Sequence, residues 1–301
     1  MTPSTPRAGS PWMEVDWSLY AHDAEIRGRK MRYVDVGVGS PLLLVHGLGG
    51  SWQTWLENLP ALSSRHRVIA VDLPGFGRSE PLTKPLTIDA FVESLTTLLD
   101  ELGIKRAVVL GHSMGGLVSM RLAMTHPDRV RRLILLSSGG VRLGNTRLAM
   151  VSRGFAAFNA VLALPGMPGF VARSAMARHL LLGGLMADPD SLTPQLAAEV
   201  IPAMRAPGFA AAISAAVHAN RAMEPSRITC PVLLIWGDQD RLVPPSAAEE
   251  LASHLADARL EIIEGVGHCP MFENPAVFNA LVLYYLAHAG RKPMRRRGQV
   301  S

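Results

Sequence analysis

The sequence predicts an α/β protein in which helices cover both faces of a mostly parallel sheet. Short apolar runs alternate with stretches of helical period along most of the 301 residues. Each apolar run ends in small or polar residues, which is typical of a strand that leads into a loop. The runs are continuous rather than alternating, as in parallel strands that are buried on both faces.

Eight strands are predicted. Two of them lie between Ala24 and Val36 and turn at Gly28. The other six are the apolar runs Pro41–Val45, Arg67–Val71, Ala107–Leu110, Leu133–Leu136, Val232–Trp236 and Leu260–Ile263. The clearest helical stretches are Ile88–Leu102, Gly116–Thr125, Ser246–His254 and Pro275–His288. For the first of these, Thr87 can cap the start and Gly103 can end the helix.

The alternation of strands and helices stops between residues 141 and 227. This stretch contains eight arginines and only four acidic residues, and no strand pattern occurs in it. We interpret this stretch as a helical lid inserted over the strand ends, because ligands of open α/β sheets bind there. The alternative is a structural helical layer that contacts no substrate. The expected organisation is a flexible tail (1–23), a core in two parts (24–140 and 228–290) around the lid (141–227), and a basic tail (291–301).

Composition excludes several classes of protein. Apolar residues make up 48% and charged residues 18%, which fits a folded chain with a sizeable core. The formal charge is +5, and the basic residues cluster only near the end, at Arg291, Lys292, Arg295, Arg296 and Arg297. No nucleic-acid-binding motif accompanies this charge. We expect a solvated basic end, with a weak contact to an anionic surface as the alternative.

The sequence also lacks the patterns of several kinds of site and segment. Cys230 and Cys269 are the two cysteines, and no metal-ligand spacing or disulfide framework is indicated. Residues 1–12 lack the apolar segment of a secretory signal, and no apolar run of about 18 residues occurs. We therefore expect a cytoplasmic protein without a spanning segment, a metal or an organic cofactor. The oligomeric state is not readable from the sequence.

The strongest motif is Gly111-His112-Ser113-Met114-Gly115, between a predicted strand and a predicted helix. A serine at such a sharp turn projects above the sheet, and glycines two residues to either side leave room for neighbouring backbone. The motif resembles the nucleophile elbow of the α/β-hydrolase superfamily. The resemblance covers residues 24 to 290 and extends to lidded esterases and to carbon–carbon hydrolases of meta-cleavage products. It implies an eight-stranded sheet and a triad in the chain order serine, acid, histidine.

A serine hydroxyl needs a neighbouring base to take its proton, and imidazole suits this task near neutral pH. Of ten histidines, His268 lies in the glycine-rich segment Gly265–Pro270 after the last predicted strand, which is similar to the histidine loop of the family. His112 points away from the serine beside it. His46 is interpreted as structural. His268 is thus the expected base for Ser113.

The acid that orients the base is expected after the fifth of the six apolar runs. Residues 236–244 resemble the family's loop at this place, and the resemblance assigns the acid to Asp240, with Asp238 as the alternative. Some members place the acid after the preceding strand. That position reads Ser137-Ser138-Gly139 here and holds no carboxylate.

Two backbone N–H groups are expected to form an oxyanion hole, which stabilises the negative charge that develops on an attacked carbonyl. One is that of Met114 at the helix start. The resemblance assigns the other to Leu48, in the loop His46-Gly47-Leu48-Gly49-Gly50. The following residues Trp52 and Trp55 are interpreted as packing residues.

A serine at position 113 disfavours epoxide opening and halide displacement, for which members of the family use aspartate. The leading hypothesis is hydrolysis of a carboxylic ester, thioester or lactone with an apolar group. The expected lid is apolar, with Met150, Phe155, Phe158, Leu162, Met167, Phe170, Met176 and Met186. Carbon–carbon hydrolysis of a dienoate-type product is the alternative, for which Arg153 or Arg178 could bind the substrate carboxylate. A ligand receptor with slow turnover is the alternative of another class.

Overall fold

The computed structural model describes residues 9–82, 86–140, 145–220 and 222–288. Within these residues it contains one eight-stranded sheet in the order β1-β2-β4-β3-β5-β6-β7-β8. The strands are β1 (Ala21–Ile26), β2 (Arg29–Val36), β3 (Pro41–Val45), β4 (Arg67–Val71), β5 (Ala107–His112), β6 (Val130–Leu136), β7 (Val232–Gly237) and β8 (Ala258–Ile263). Only the β1–β2 and β2–β4 pairs are antiparallel. The predicted mostly parallel sheet of eight strands is confirmed.

The α-helices of the described residues lie mainly between the strands. They are α1 (Leu59–Ser63), α2 (Ile88–Glu101), α3 (Met114–Thr125), α4 (Asn145–Leu162), α5 (Met167–Arg173), α6 (Ala175–Leu182), α7 (Pro194–Val200), α8 (Phe209–Asn220), α9 (Pro245–Ser253), α10 (Pro270–Glu273) and α11 (Pro275–Ala287). Thr87 caps α2 as predicted, because its hydroxyl accepts from the Ala90 N–H at 3.0 Å. Gly103 follows that helix with a φ of +66°.

Both faces of the sheet are buried. Along β3, Leu43 and Val45 pack into one apolar cluster with residues of α2 and α3. Leu42 and Leu44 pack into a second cluster on the other face, with residues of α1 and α11. Successive side chains of a strand point to opposite faces, so an uninterrupted apolar run satisfies both clusters. This explains why β3, β4, β5 and β7 show no alternation of apolar and polar residues.

The stretch between β6 and β7 contains α4 to α8 and, in residues 145–220, no strand. We call residues 145–220 the helical insert. It contacts loops at the carboxyl ends of the strands: the Gly208 N–H donates to the Gly75 carbonyl at 3.0 Å, and the His268 N–H donates to the Leu185 carbonyl at 2.7 Å. Whether the insert acts as a lid stays a prediction.

The segment before β1 differs from the expected flexible tail. Residues 11–14 and 17–19 form short 3₁₀ turns, and Trp12 is buried against the core. The Trp12 indole N–H and the Ser10 hydroxyl both donate to Glu57 Oε1, at 3.0 and 2.8 Å. Trp12 and the partly buried Trp17, which packs against the same cluster, provide the apolar surface that docks this segment. The predicted basic tail, 291–301, lies outside the described residues.

Candidate active site

The three predicted catalytic side chains follow three strands of the parallel part of the sheet. Ser113 follows β5, Asp240 lies three residues after β7, and His268 lies in the loop after β8. Strands β5, β6, β7 and β8 are consecutive neighbours and run parallel. Their carboxyl ends therefore meet at one edge of the sheet, where open α/β proteins bind ligands.

Ser113 has a strained backbone. Its φ of +52° and ψ of −116° lie in a region that L-residues rarely adopt. The turn is held by close backbone packing: a Cβ at Gly111 would overlap the Gly115 carbonyl, and a Cβ at Gly115 would overlap the carbonyls of Val45 and His46. The glycine spacing of the motif thus has a steric cause, because only glycine leaves this space.

Asp240 and His268 form a buried pair. The distance between Asp240 Oδ2 and His268 Nδ1 is 2.8 Å, and both residues are 3% exposed. The second oxygen, Oδ1, accepts from the N–H groups of Leu242 and Val243 at 3.0 and 2.9 Å. These bonds fix the carboxylate, which in turn fixes the ring of His268 with its Nδ1 proton toward the acid.

The alternative acid, Asp238, lies elsewhere. Its side chain is exposed, and its Oδ1 accepts from the Gly265 N–H at 2.7 Å. Asp238 therefore ties the β7 loop to the β8 loop at the surface. The structure brings Asp240, and not Asp238, into contact with the His268 ring.

The other ring nitrogen of His268, Nε2, is buried and has no hydrogen-bond partner among the described residues, so no bond to Ser113 Oγ is formed. His112 instead links the turn that holds Ser113 to the loop that holds His268. Its Nε2 lies 2.9 Å from the His268 carbonyl, and the two imidazole rings are 5.1 Å apart. Catalytic hydrogen bonds are often long in ligand-free enzymes and shorten when substrate binds.

Two further histidines beside the site are fully buried. Burial, and next the nearby His268, lower the pKa of His112 to about 3. Burial lowers the pKa of His46 to about 4. Both rings are therefore neutral at pH 7. His46 Nδ1 faces the Gly47 carbonyl at 2.7 Å, and its Nε2 accepts from the Leu73 N–H at 3.0 Å. Both contacts hold loop backbone, which agrees with the interpretation of His46 as a structural residue.

The loop after β3 lies directly against Ser113. A Cβ at Gly47 would lie 3.1 Å from the Ser113 Cβ and 2.8 Å from His112 Nδ1. In this loop the N–H of Leu48 has no hydrogen-bond partner among the described residues, and the same is true of the Met114 N–H at the start of α3. The Met114 N–H follows Ser113 directly in the chain, and Leu48 follows Gly47, whose backbone lies against Ser113. The role of these two N–H groups as an oxyanion hole stays a prediction.

Comparison with known proteins shows the family to which the chain belongs. The family model described as alpha/beta hydrolase fold matches residues 40–275. The chain belongs to the α/β-hydrolase family. A 2-hydroxy-6-oxononadienedioate/2-hydroxy-6-oxononatrienedioate hydrolase of Pseudomonas sp is 30% identical over 281 residues, covering 88% of this chain and 94% of that protein.

Two solved structures are similar to most of the chain. A meta-cleavage product hydrolase variant superposes with a TM-score of 0.73 at 27% identity, covering 90% of this chain and 99% of its own. The enol-lactonase from Burkholderia xenovorans superposes with a TM-score of 0.73 at 26% identity, covering 88% of this chain and 100% of its own.

In this α/β-hydrolase, sequence reasoning missed a buried carboxylate, Asp72, that supports the loop after β3. Its Oδ1 accepts from the Trp52 N–H at 2.7 Å, and its Oδ2 accepts from the Arg78 N–H at 2.8 Å. Burial raises the pKa of Asp72 to about 6, although the two N–H bonds oppose the shift. Its place directly after a buried strand, at the site edge, was the signal available.

A second missed residue is Glu273, at the end of α10. Its Oε2 accepts from the N–H groups of Ala187, Asp188 and Gly267 at 2.7, 3.1 and 3.0 Å, and its Oε1 accepts from the Cys269 N–H at 3.1 Å. Burial raises the pKa of this carboxyl. Glu273 therefore joins the helical insert to both sides of His268. A single acidic residue in the apolar run after the histidine was the available signal.

The apolar residues expected in the lid divide into two groups. Leu162 and Met186 are buried, and Phe155, Phe158 and Met167 pack partly against the core. Met150, Phe170 and Met176 instead are exposed to solvent. Of the two arginines considered for a substrate carboxylate, Arg153 is exposed, whereas Arg178 is buried and its Nη1 donates to the Ala172 carbonyl at 2.8 Å.

Proposed function

We propose that the protein is a serine hydrolase that cleaves a carboxylic ester, thioester or lactone with an apolar group through an acyl-enzyme on Ser113. The observation that carries the proposal is the buried Asp240–His268 pair. Its imidazole keeps Nε2 free at the sheet edge where Ser113 projects from its strained turn. A base held in one tautomer beside an accessible hydroxyl is the arrangement that nucleophilic acyl transfer requires.

In the first half of the reaction, Ser113 Oγ attacks the carbonyl carbon and gives its proton to His268 Nε2. Asp240 stabilises the imidazolium that results. The carbonyl oxygen becomes an oxyanion, which the N–H groups of Leu48 and Met114 stabilise by about 3 kcal/mol for each donor. The bond to the leaving group then breaks, and the departing alcohol takes the proton from His268.

In the second half, His268 Nε2 accepts a proton from water as the water oxygen attacks the acyl carbon. The same two N–H groups stabilise the second oxyanion. The acyl–oxygen bond to Ser113 breaks, the proton passes from His268 to Ser113 Oγ, and the carboxylic acid is released. Water is the only co-reactant in this scheme.

Carbon–carbon hydrolysis is the second candidate, and the relatives that are named as dienedioate and meta-cleavage product hydrolases favour it. Such a substrate carries a carboxylate that needs a cation. Arg178 lies buried in the insert, and its Nε has no hydrogen-bond partner among the described residues. The likeness to an enol-lactonase supports the ester and lactone reading instead.

A comparison of two substrates separates these candidates. We expect the wild-type protein to turn over a short-chain nitrophenyl ester with a higher kcat/KM than a 2-hydroxy-6-oxo-dienoate. A reversed preference, abolished by Arg178→Met while the ester rate is kept, would establish the carbon–carbon activity. Either activity requires the same nucleophile.

The nucleophile itself is tested by Ser113→Ala, with the exposed Ser253→Ala as the matched control. Loss of the nucleophile is expected to lower kcat about a millionfold, whereas the control keeps the wild-type rate. Undiminished turnover by Ser113→Ala contradicts the mechanism. Labelling of Ser113 by a fluorophosphonate without multiple turnovers of any ester would favour the slow-turnover receptor.

A further inference from the structure

The solvent side of the first three helices of the insert is unusually apolar. Five large apolar side chains in α4, α5, α6 and the connection between α4 and α5 are more than half exposed. They are Met150, Leu164, Phe170, Met176 and Leu180. These make up five of the eleven exposed large apolar side chains of the described residues, although the segment is a small part of the chain. Concentrated exposure of this kind marks an interaction surface.

The first of these helices shows the pattern most clearly. In α4 the exposed positions are Ala149, Met150, Arg153, Gly154, Ala156, Ala157 and Ala160, together with Thr146 at the start. The polar residues Ser152 and Asn159 are only half-exposed. A surface helix normally places its apolar stripe inward and its polar residues outward. The outer side of α4 is instead nearly as apolar as its inner side.

The charge on this surface has one sign. Residues 141–187 contain no aspartate or glutamate. Arg153 and Arg173 are exposed and form no ion pair among the described residues. Asp190, which follows this stretch in the chain, has its Oδ1 at 3.7 Å from His179 Nδ1 and at 4.0 Å from Arg178 Nη2. Cations that border an apolar surface match the anionic headgroups and acyl chains of a lipid surface.

We propose that the outer face of α4, α5 and α6, which we call the insert face, docks onto an anionic lipid surface. A second copy of the chain fits less well, because a two-fold axis would bring the unpaired arginines together. The face lies on the surface and does not cross it. Among the described residues no single helix is long and apolar enough to span a membrane, and Ala149–Leu162 meets Met167–Arg173 at a bend of 99°.

Co-sedimentation of the full chain with lipid vesicles tests this proposal. We expect binding to vesicles of phosphatidylcholine and phosphatidylglycerol (3:1), weakened by salt, and little binding to phosphatidylcholine alone. The apolar variant Phe170→Ser/Met176→Ser/Leu180→Ser should lower the partition coefficient tenfold or more. The charge variant Arg153→Glu/Arg173→Glu should have a similar effect without removing apolar surface.

Matched controls lie away from the insert. Val38→Ser changes a valine that is 83% exposed, and Arg65→Glu/Lys105→Glu reverses two exposed cations outside the insert. Both should bind within about threefold of the wild type. The proposal is overturned if the wild type ignores anionic vesicles, or binds neutral ones equally well. It is also overturned if the insert-face variants bind like the controls, which would assign binding to the basic residues 291–297.

Sedimentation velocity without lipid adds one more decisive result. A monomeric wild type is expected. A wild-type dimer that the apolar variant dissociates would mean that a second copy covers the insert face, and the lipid proposal would then be wrong. Both variants change only exposed side chains, so their thermal melting temperatures should stay close to that of the wild type.

Discussion

The loops at the strand ends and the helical insert lie against each other but are built differently. In the loops, the side chains of Asp240, Asp72 and His46 are each fixed by buried hydrogen bonds to backbone groups. Glycines there allow backbone segments to touch. In the insert, helices pack through Leu, Met and Ala, and one side is left apolar toward solvent.

This difference shows how one fold can serve many reactions. Chemistry needs groups held within a fraction of an ångström, so the loops tolerate little change. Contact with a substrate or a surface needs mainly apolar area, which many sequences provide. We therefore expect substitutions in the loops to have large effects, and equivalent substitutions in the insert or on the surface to have small ones.

The largest expected effect distinguishes the two aspartates of the β7 loop. Asp240→Asn should lower kcat about 10⁴-fold, because the amide no longer holds the His268 ring in the correct tautomer. Asp238→Asn should change kcat by less than a few fold, since among the described residues this exposed side chain bonds only the Gly265 N–H. Steady-state kinetics on the best ester decides, and equal losses for the two variants would contradict the assignment.

Replacing glycine by alanine should lower the free energy of unfolding at the serine turn and raise it in the insert. Gly115→Ala forces a Cβ against the carbonyls of Val45 and His46, so the free energy of unfolding should fall by about 4 kcal/mol or more. Gly154→Ala meets nothing within 4 Å on α4 and should raise it by about 0.5–1 kcal/mol. Urea titrations followed by circular dichroism measure both. A tolerated Gly115→Ala would show that the elbow can relax.

Glu273→Gln tests the bond between insert and histidine loop. An amide oxygen replaces one acceptor and an NH₂ group then faces backbone donors, so unfolding free energy should fall by about 2–3 kcal/mol. Glu199→Gln, at an exposed position of α7, should stay within about 0.5 kcal/mol of the wild type. Chemical denaturation measures both, and similar values for the two variants would argue against the four-donor arrangement.

Acid should weaken the fold through the two neutral histidines beside the site. The folded-state pKa values of His112 and His46, about 3 and about 4, lie below the unfolded value of 6.5. Their stabilisation is present above pH 6.5 and is lost as the pH falls, because the unfolded chain binds protons first. Asp72, raised to about 6, partly offsets this loss. We expect a net fall of about 2 kcal/mol between pH 7 and 5.

Denaturant titrations at several pH values measure this slope. Constant or rising stability between pH 7 and 5 would mean that these imidazoles are not buried in the neutral form.

Local patterns predicted much of the fold. Pro41–Val45 and Arg67–Val71 were located to the residue, because apolar runs between polar turns leave little freedom. The three predicted side chains of the triad were placed at one sheet edge by motif, strand and chain order. Their catalytic roles stay predictions.

The features that were missed depend on distant partners. Glu273 is significant only because α10 brings it to backbone donors from the insert, and nothing in its immediate sequence states this. Trp12 docks through Glu57, 45 residues away. The direction in which Met150 or Phe170 points is likewise set by packing, since apolar residues occur on both the exposed and the buried side of α4.

The hydrogen bonds of residues 185–188 limit how the insert can move. The Leu185 carbonyl accepts from the N–H of His268 itself. The N–H groups of Ala187 and Asp188 donate to Glu273, which also binds the histidine loop. A rigid swing of the whole insert would pull His268 away from Asp240. Any gate that admits substrate while keeping this pair intact must therefore hinge upstream of Leu185, so that α4 to α6 open while the segment beside the histidine stays in place.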